Sequence, residues 1–235
     1  MIEAGWSAAE LHVHTTYSDG EPTPAMVVQR AVELGLPVIA ITDHDCIDGA
    51  VEASRLEPSR CEVVIGEEVS TAQGHVLALY LTRAVAPGLT LEETIAEIHA
   101  QGGLAIPAHP YLRLGGARGV GAAGTHNAWD AIEVENGSPG AWQANRVARR
   151  RRLDWARAET GGSDAHILDA VGTAVTLFEG RTALDLRAAI AAGATRAWRR
   201  NRSPVIAART LVRSIRRRLN GEAAHELERR RASRR

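Results

Sequence analysis

The chain has 235 residues, 45% of them apolar and 24% charged, with a formal net charge of zero, which is enough for one full hydrophobic core. No apolar run reaches the roughly eighteen residues of a membrane-spanning helix, and the start "MIEAGWSAAELHVH" lacks the basic and apolar regions of a secretory signal. These features exclude a helical membrane protein and lead us to expect a cytoplasmic one. All 28 basic residues are arginine; fourteen of them against three acids give residues 196–235 a net +11 and leave −11 on the rest.

"ELHVH" reads as the first strand. "TPAMVVQRAVELG" follows as a helix with Thr23 as N-cap, Pro24 in the first turn and Gly35 as its stop. "PVIAIT" (37–42) is a continuous apolar run, as in a strand buried on both faces. A short helix near 48–57 leads to "EVVIGEEVS", a "QG" turn and "HVLALYL". "TLEETIAEIHAQGG" opens on a Thr90–Glu93 capping box and closes on glycines. "LAIPAHP", "WDAIEVEN", "TGGSDAH" and "GTAVTLF" are further strands, with helices near 141–159 and 182–193. Such alternation predicts a largely parallel sheet or barrel in one domain, residues 1–195.

Residues 196–235 form an arginine-rich tail. Leu211, Val212, Ile215 and Leu219 recur there at helical spacing among arginines, predicting a basic amphipathic helix. Packing on the barrel is its leading reading, ahead of a second subunit, anionic lipid or nucleic acid. The final "ERRRASRR" is expected to be disordered. Cys46 and Cys61 have neither zinc-type spacing nor a disulfide framework, and read as reduced thiols.

Six of the nine histidines fall at the edge of a predicted strand. His12 and His14, two apart on an extended segment, point to the same side. Alone, that pair fits either a metal site or a buried hydrogen-bonded pair. Asp164 and His166 repeat the spacing, and His44, His75 and His109 occupy other strand edges. Asp19, Asp43 and Glu68 lie in equivalent places. Loops beyond the C-terminal strand ends carry the sites of parallel α/β folds, and imidazole with carboxylate suits divalent metals. His99, His126 and His225 read as ordinary residues.

"LHVHTTYSDG", "ITDHD", "GEEVS" before "GHVLAL", "PAHP" and "GGSDAH" resemble the motifs of the PHP (polymerase and histidinol phosphatase) superfamily, over roughly residues 9–195. The resemblance implies a distorted (β/α)7 barrel with three metal ions at the C-terminal strand edge. His12, His14, Glu68 and Asp164 would hold the first ion. Glu68 would bridge to a second, completed by His75 and His109, and Asp19, His44 and His166 would hold the third. Two to three divalent ions are expected, manganese, iron or zinc, with magnesium also open.

Such a centre implies phosphoester hydrolysis by a metal-bridging hydroxide. Glu68, Asp164, His109 and Asp43 are then the catalytic candidates, Asp43 as a carboxylate orienting an imidazole. In the glycine-rich stretch 111–127, Arg113 or Arg118 either clamps a substrate phosphate or belongs to an ordinary loop. Glu135 and Asn136 are candidates for substrate contact, although a structural role leads. "RVARRRRLDWAR" (146–157) reads as a solvated helix face.

The expected substrate is a small phosphomonoester, a nucleotide or an oligonucleotide, and the oligomeric state stays open. Only 54 residues separate His109 from Asp164, too few for the sizeable helical insertion that some nucleotide-cleaving members carry. Hydrolysis of a carbamate or aryl ester is the alternative. A non-catalytic metal-dependent module binding nucleic acid through the tail is disfavoured, because no ligand position is missing.

Overall fold

The structure is a computed structural model and describes residues 2–220 except 57–59, 115, 116 and 202. Its strands are β1 (Trp6–Glu10), β2 (Val38–Ile41), β3 (Glu62–Ser70), β4 (His75–Leu79), β5 (Leu104–Pro107), β6 (Ala131–Asn136), β7 (Ala158–Gly162), β8 (Ala174–Glu179) and β9 (Arg196–Arg199). The helices are α1 (Pro24–Glu33), α2 (Asp48–Ser54), α3 (Leu91–Ala100), α4 (Trp142–Arg151), α5 (Ala183–Ala191) and α6 (Pro204–Leu219). Seven strands form one curled sheet in the order β5-β4-β3-β2-β1-β8-β9, and β6 pairs with β7 alone. That pair packs against β5 on one side and β8 and β9 on the other, spanning the gap between the sheet's ends.

The barrel-like α/β architecture is the expected one, but the sheet is mixed. Pairing is parallel for β1–β2, β2–β3 and β6–β7, and antiparallel elsewhere. Between β3 and β4 only Thr71–Gly74 intervene, a connection that permits a hairpin and no crossover. Local signals for the helices hold. Thr23 accepts from the Met26 N–H at the start of α1, and Thr90 and Glu93 close both halves of their capping box on α3. Helix α4 ends at Arg151, well short of residue 159, because the chain turns to bury Trp155, whose indole donates to the Tyr111 hydroxyl at 3.0 Å.

Strand β1 lies earlier than the histidine pair suggests. Residues 11–14 continue extended beyond it, with Val13 bridging Ala165 and the His14 N–H donating to Ala165 O at 2.9 Å. Both histidines therefore stand past a strand end rather than inside one. Buried Glu10 pins this arrangement, accepting from the N–H groups of His12, Ser163 and Gly172 at 3.1, 2.9 and 2.9 Å.

The sheet also runs past residue 195. Strand β9 pairs antiparallel with β8, and the Arg196 guanidinium stacks over the Trp6 ring, 4.4 Å from its centroid. An edge strand tolerates such a charged sequence.

Helix α6 docks by its arginine edge. Arg209 pairs with Asp169, Arg213 with Glu21 at 3.3 Å, and Arg217 with Asp19, while Ile206 touches the core. The stripe expected to pack is turned outward instead: Leu211, Val212, Ile215 and Leu219 are 48–80% exposed. An acidic body draws the basic edge toward itself. His225 and "ERRRASRR" lie outside the described residues, among which no helix is long and apolar enough to cross a membrane.

Candidate metal centre

The candidate residues come from the ends of six strands, β1 to β5 and β7, gathered at one edge of the barrel. His12 and His14 follow β1, His44 follows β2, Glu68 lies near the end of β3, and His109, Asp164 and His166 follow β5 and β7. His75 begins β4, yet its register opposite Ser70 puts it at the same edge, because the strand runs the other way. His109 and Asp164 have positive φ, 32° and 53°. Non-glycine residues in that region mark places where the surroundings impose the backbone.

Glu68 is the hub. Its Oε2 lies 3.4, 3.3 and 3.1 Å from ring nitrogens of His12, His14 and His44, and its Oε1 lies 2.9 and 3.0 Å from those of His75 and His109. Asp164 Oδ1 is 3.6 Å from His12 Nε2 and 3.3 Å from His14 Nε2. Asp19 Oδ1 is 2.9 Å from His166 Nε2, and His44 and His14 are 3.9 and 3.8 Å away. All nine sequence candidates thus converge. Their donor atoms form overlapping groups, His14–Asp19–His44–His166, His12–His109–Asp164, His12–His14–Glu68 and His44–Glu68–His75, each within 4.8 Å.

The donor set fits divalent cations. His12 Nε2, both ring nitrogens of His14, His44 Nδ1, His109 Nδ1 and Asp19 Oδ1 are buried and make no contact of hydrogen-bond geometry among the described residues, an arrangement costly unless a cation completes it. Burial alone would raise the Glu68 carboxyl, but His44, His75 and His12 hold it well below the usual carboxylate range. Asp164 is likewise lowered against burial by His12 and His14, and Asp19 by His166. Burial would lower the His14 imidazole, yet the Asp164 and Glu68 carboxylates beside it pull it up to about 10. Burial with His14 and His75 nearby leaves His44 well below its ordinary value. Ionised carboxylates thus hold protons on imidazoles that a metal would displace.

A surrounding layer fixes these groups. Glu133, which the sequence offered only as a strand residue, accepts from His12 Nδ1 at 3.0 Å and from the His109 N–H at 2.6 Å. Asn136 Nδ2 donates to Glu133 at 3.1 Å and to Asp164 Oδ2 at 3.3 Å, and the Ser138 hydroxyl donates to that same oxygen at 2.7 Å. His166 Nδ1 donates to the Asp164 carbonyl at 3.0 Å, turning Nε2 toward Asp19. Gly162 is required here, since a Cβ would meet His12 Cβ at 2.4 Å.

Asp43 does not take its expected role, whereas Glu135 takes the structural one that led. The Asp43 carboxylate accepts from the Thr15 N–H and hydroxyl, both at 2.7 Å, and from the Ser18 hydroxyl at 2.5 Å. It braces the loop between His14 and Asp19 rather than an imidazole. A bulge between Glu133 and Glu135 sends the latter to Asn145, Arg149 and Arg199, at 3.1, 2.9 and 3.3 Å. Arg113 and Arg118 are exposed, and their loop meets the centre through backbone, Arg118 O accepting from the His75 N–H at 2.8 Å. Arg217, read as tail, reaches Asp19.

Comparison with known proteins agrees with this architecture. The family model for the PHP domain matches residues 10–111, and that for the PHP-associated region matches residues 142–195. An uncharacterised protein of Methanocaldococcus jannaschii is 43% identical over 115 residues, covering 44% of this chain and 67% of that one. The 5'-3' exoribonuclease Rnm of Salmonella typhimurium is 47% identical over 66 residues, 26% of this chain and only 22% of that enzyme. A two-domain Bacteroides vulgatus protein, described as containing a PHP-like metal-dependent phosphoesterase, superposes with a TM-score of 0.67 at 19% identity, over 82% of this chain and 64% of that one. The chain belongs to the PHP domain family.

Proposed function

We propose that this PHP-family hydrolase cleaves a phosphate ester with two to three divalent transition-metal ions held by His12, His14, Asp19, His44, Glu68, His75, His109, Asp164 and His166. The observation that carries the proposal is the convergence of five imidazoles within 3.4 Å of the Glu68 carboxylate. Bound there, the ions would offset phosphoryl charge and activate water at neutral pH, so no side-chain nucleophile is required.

The chain's own residues hold that arrangement in register. Glu133 is a proton acceptor only, so it keeps the proton on His12 Nδ1 and presents Nε2 toward Glu68 and Asp164. Asn136 and Ser138 engage Asp164 Oδ2 and leave Oδ1 facing the imidazoles. Asp43 fixes the loop that delivers Asp19. The exoribonuclease relative supports phosphoester chemistry, and small phosphomonoesters are equally compatible with the site.

The test is a comparison of p-nitrophenyl phosphate with a naphthyl carbamate, using manganese-loaded protein. Metal-dependent release of p-nitrophenol supports the reading. Carbamate turnover without phosphate release would overturn it.

A further inference from the structure

A cleft of about 510 Å³ opens beside Asp164, between α4 and the start of α6. Its two walls differ in character. Trp142, Arg146, Arg149 and Arg150 are spaced i, i+4, i+7 and i+8 along α4 and so share a face. That face lines the cleft, joined by Arg199 of β9. Arg149 and Arg199 share the single carboxylate of Glu135. Arg146 and Arg150 have no acidic partner among the described residues, so the wall keeps a positive excess. The opposite wall, on α6, is uncharged, presenting Ile206 and Ala207. Trp142 is 63% exposed.

An anionic group with an attached flat ring matches both walls. A polyanion alone, such as pyrophosphate, would use the arginines but leave Trp142 and the apolar wall facing water. The volume falls within the usual range for small-ligand sites. We infer that the cleft between α4 and α6 binds a nucleoside phosphate, with phosphate on Arg146 and Arg150 and the base stacked on Trp142 against the α6 wall. Base stacking on an aromatic face beside basic side chains is the general mode of sequence-tolerant nucleotide binding. The reacting phosphate would lie at Asp164; that orientation rests on the phosphoesterase reading, whereas occupation of the cleft does not. Helix α6 thus builds one wall of a nucleotide site in a chain with little sequence between His109 and Asp164.

The test measures binding to the full chain of adenosine 5′-O-thiomonophosphate, a phosphorothioate pentadeoxynucleotide and pyrophosphate, with melting curves confirming that each variant folds. R146A/R150A should weaken both nucleotide probes by about tenfold or more and reduce the log–log salt slope for the oligonucleotide by about 1.4. R146K/R150K should restore most of that loss. W142A should weaken the nucleotides by about tenfold while sparing pyrophosphate. Tighter binding of the oligonucleotide would assign a strand end, and tighter binding of the mononucleotide a free nucleotide. Wild-type affinity in R146A/R150A, equal loss of pyrophosphate in W142A, or no measurable nucleotide binding by the wild type would overturn the inference. Arginine-dependent nucleotide binding without any ester hydrolysis would uphold the cleft and remove the phosphoesterase reading. Hydrolysis of p-nitrophenyl phosphate without that dependence would do the reverse.

Discussion

Glu133→Gln changes one atom and tests how the centre is held. One carboxylate oxygen accepts from His12 Nδ1 at 3.0 Å, the other from the His109 N–H at 2.6 Å and from Asn136 at 3.1 Å. The backbone N–H cannot become an acceptor, so the new amide must keep its oxygen there and turn its NH2 toward His12. His12 Nδ1 must then accept, which moves the neutral ring's proton to Nε2, the nitrogen facing Glu68 and Asp164. The ligating lone pair is lost while the ring stays in place. Disturbing such a partner costs about 10- to 100-fold in metal affinity, equivalent to roughly 1.4–2.7 kcal/mol. Competition with a fluorescent chelator on the metal-free protein measures it, and an unchanged circular dichroism spectrum confirms the fold. Wild-type affinity in Glu133→Gln would refute the claim that Glu133 sets the His12 tautomer.

Asp43→Asn should cost about 10- to 100-fold in turnover, because an amide cannot accept from all of the Thr15 and Ser18 donors that brace the Asp19 loop; kinetics on p-nitrophenyl phosphate checks this, and an undiminished rate would count against it. Glu10→Gln should lose about 1–3 kcal/mol in urea unfolding, since one of three N–H groups would face an NH2. Truncation after residue 202 should keep the metal stoichiometry and lower the melting temperature by several degrees, as Ile206 and the contacts to Asp169, Glu21 and Asp19 are lost. Loss of metal on truncation would instead show that α6 completes the centre.

The metal candidates were legible because their chemistry is rare at strand ends: His12–His14 and Asp164–His166 announce themselves by spacing, and all nine candidates meet in space. The helix caps at Thr23 and Thr90 were equally readable, being local. What the sequence hid depends on tertiary partners. "WSAAE" is β1 although its alanines carry little strand preference, and "RAWR" is β9 although it reads as a charge run. Glu133 and Glu135, two apart on β6, would share a face by simple alternation, and only the bulge between them sends their side chains to different partners. Asp43 was expected on an imidazole, but alternation says which way a side chain leaves its strand, not which loop returns to meet it. Arginines on α4 and α6 read as solvated or as tail, because the cleft beside Asp164 exists only once the two helices face each other.

The most direct measurement is the metal content of the full chain, purified without chelator and supplied with manganese, by elemental analysis alongside Glu68→Gln. Five imidazoles on one carboxylate lead us to expect about two to three ions per wild-type chain and a clear loss in the variant. Less than about one ion in the wild type, or an unchanged content in Glu68→Gln, would contradict the assignment of Glu68 as the residue around which the metals assemble.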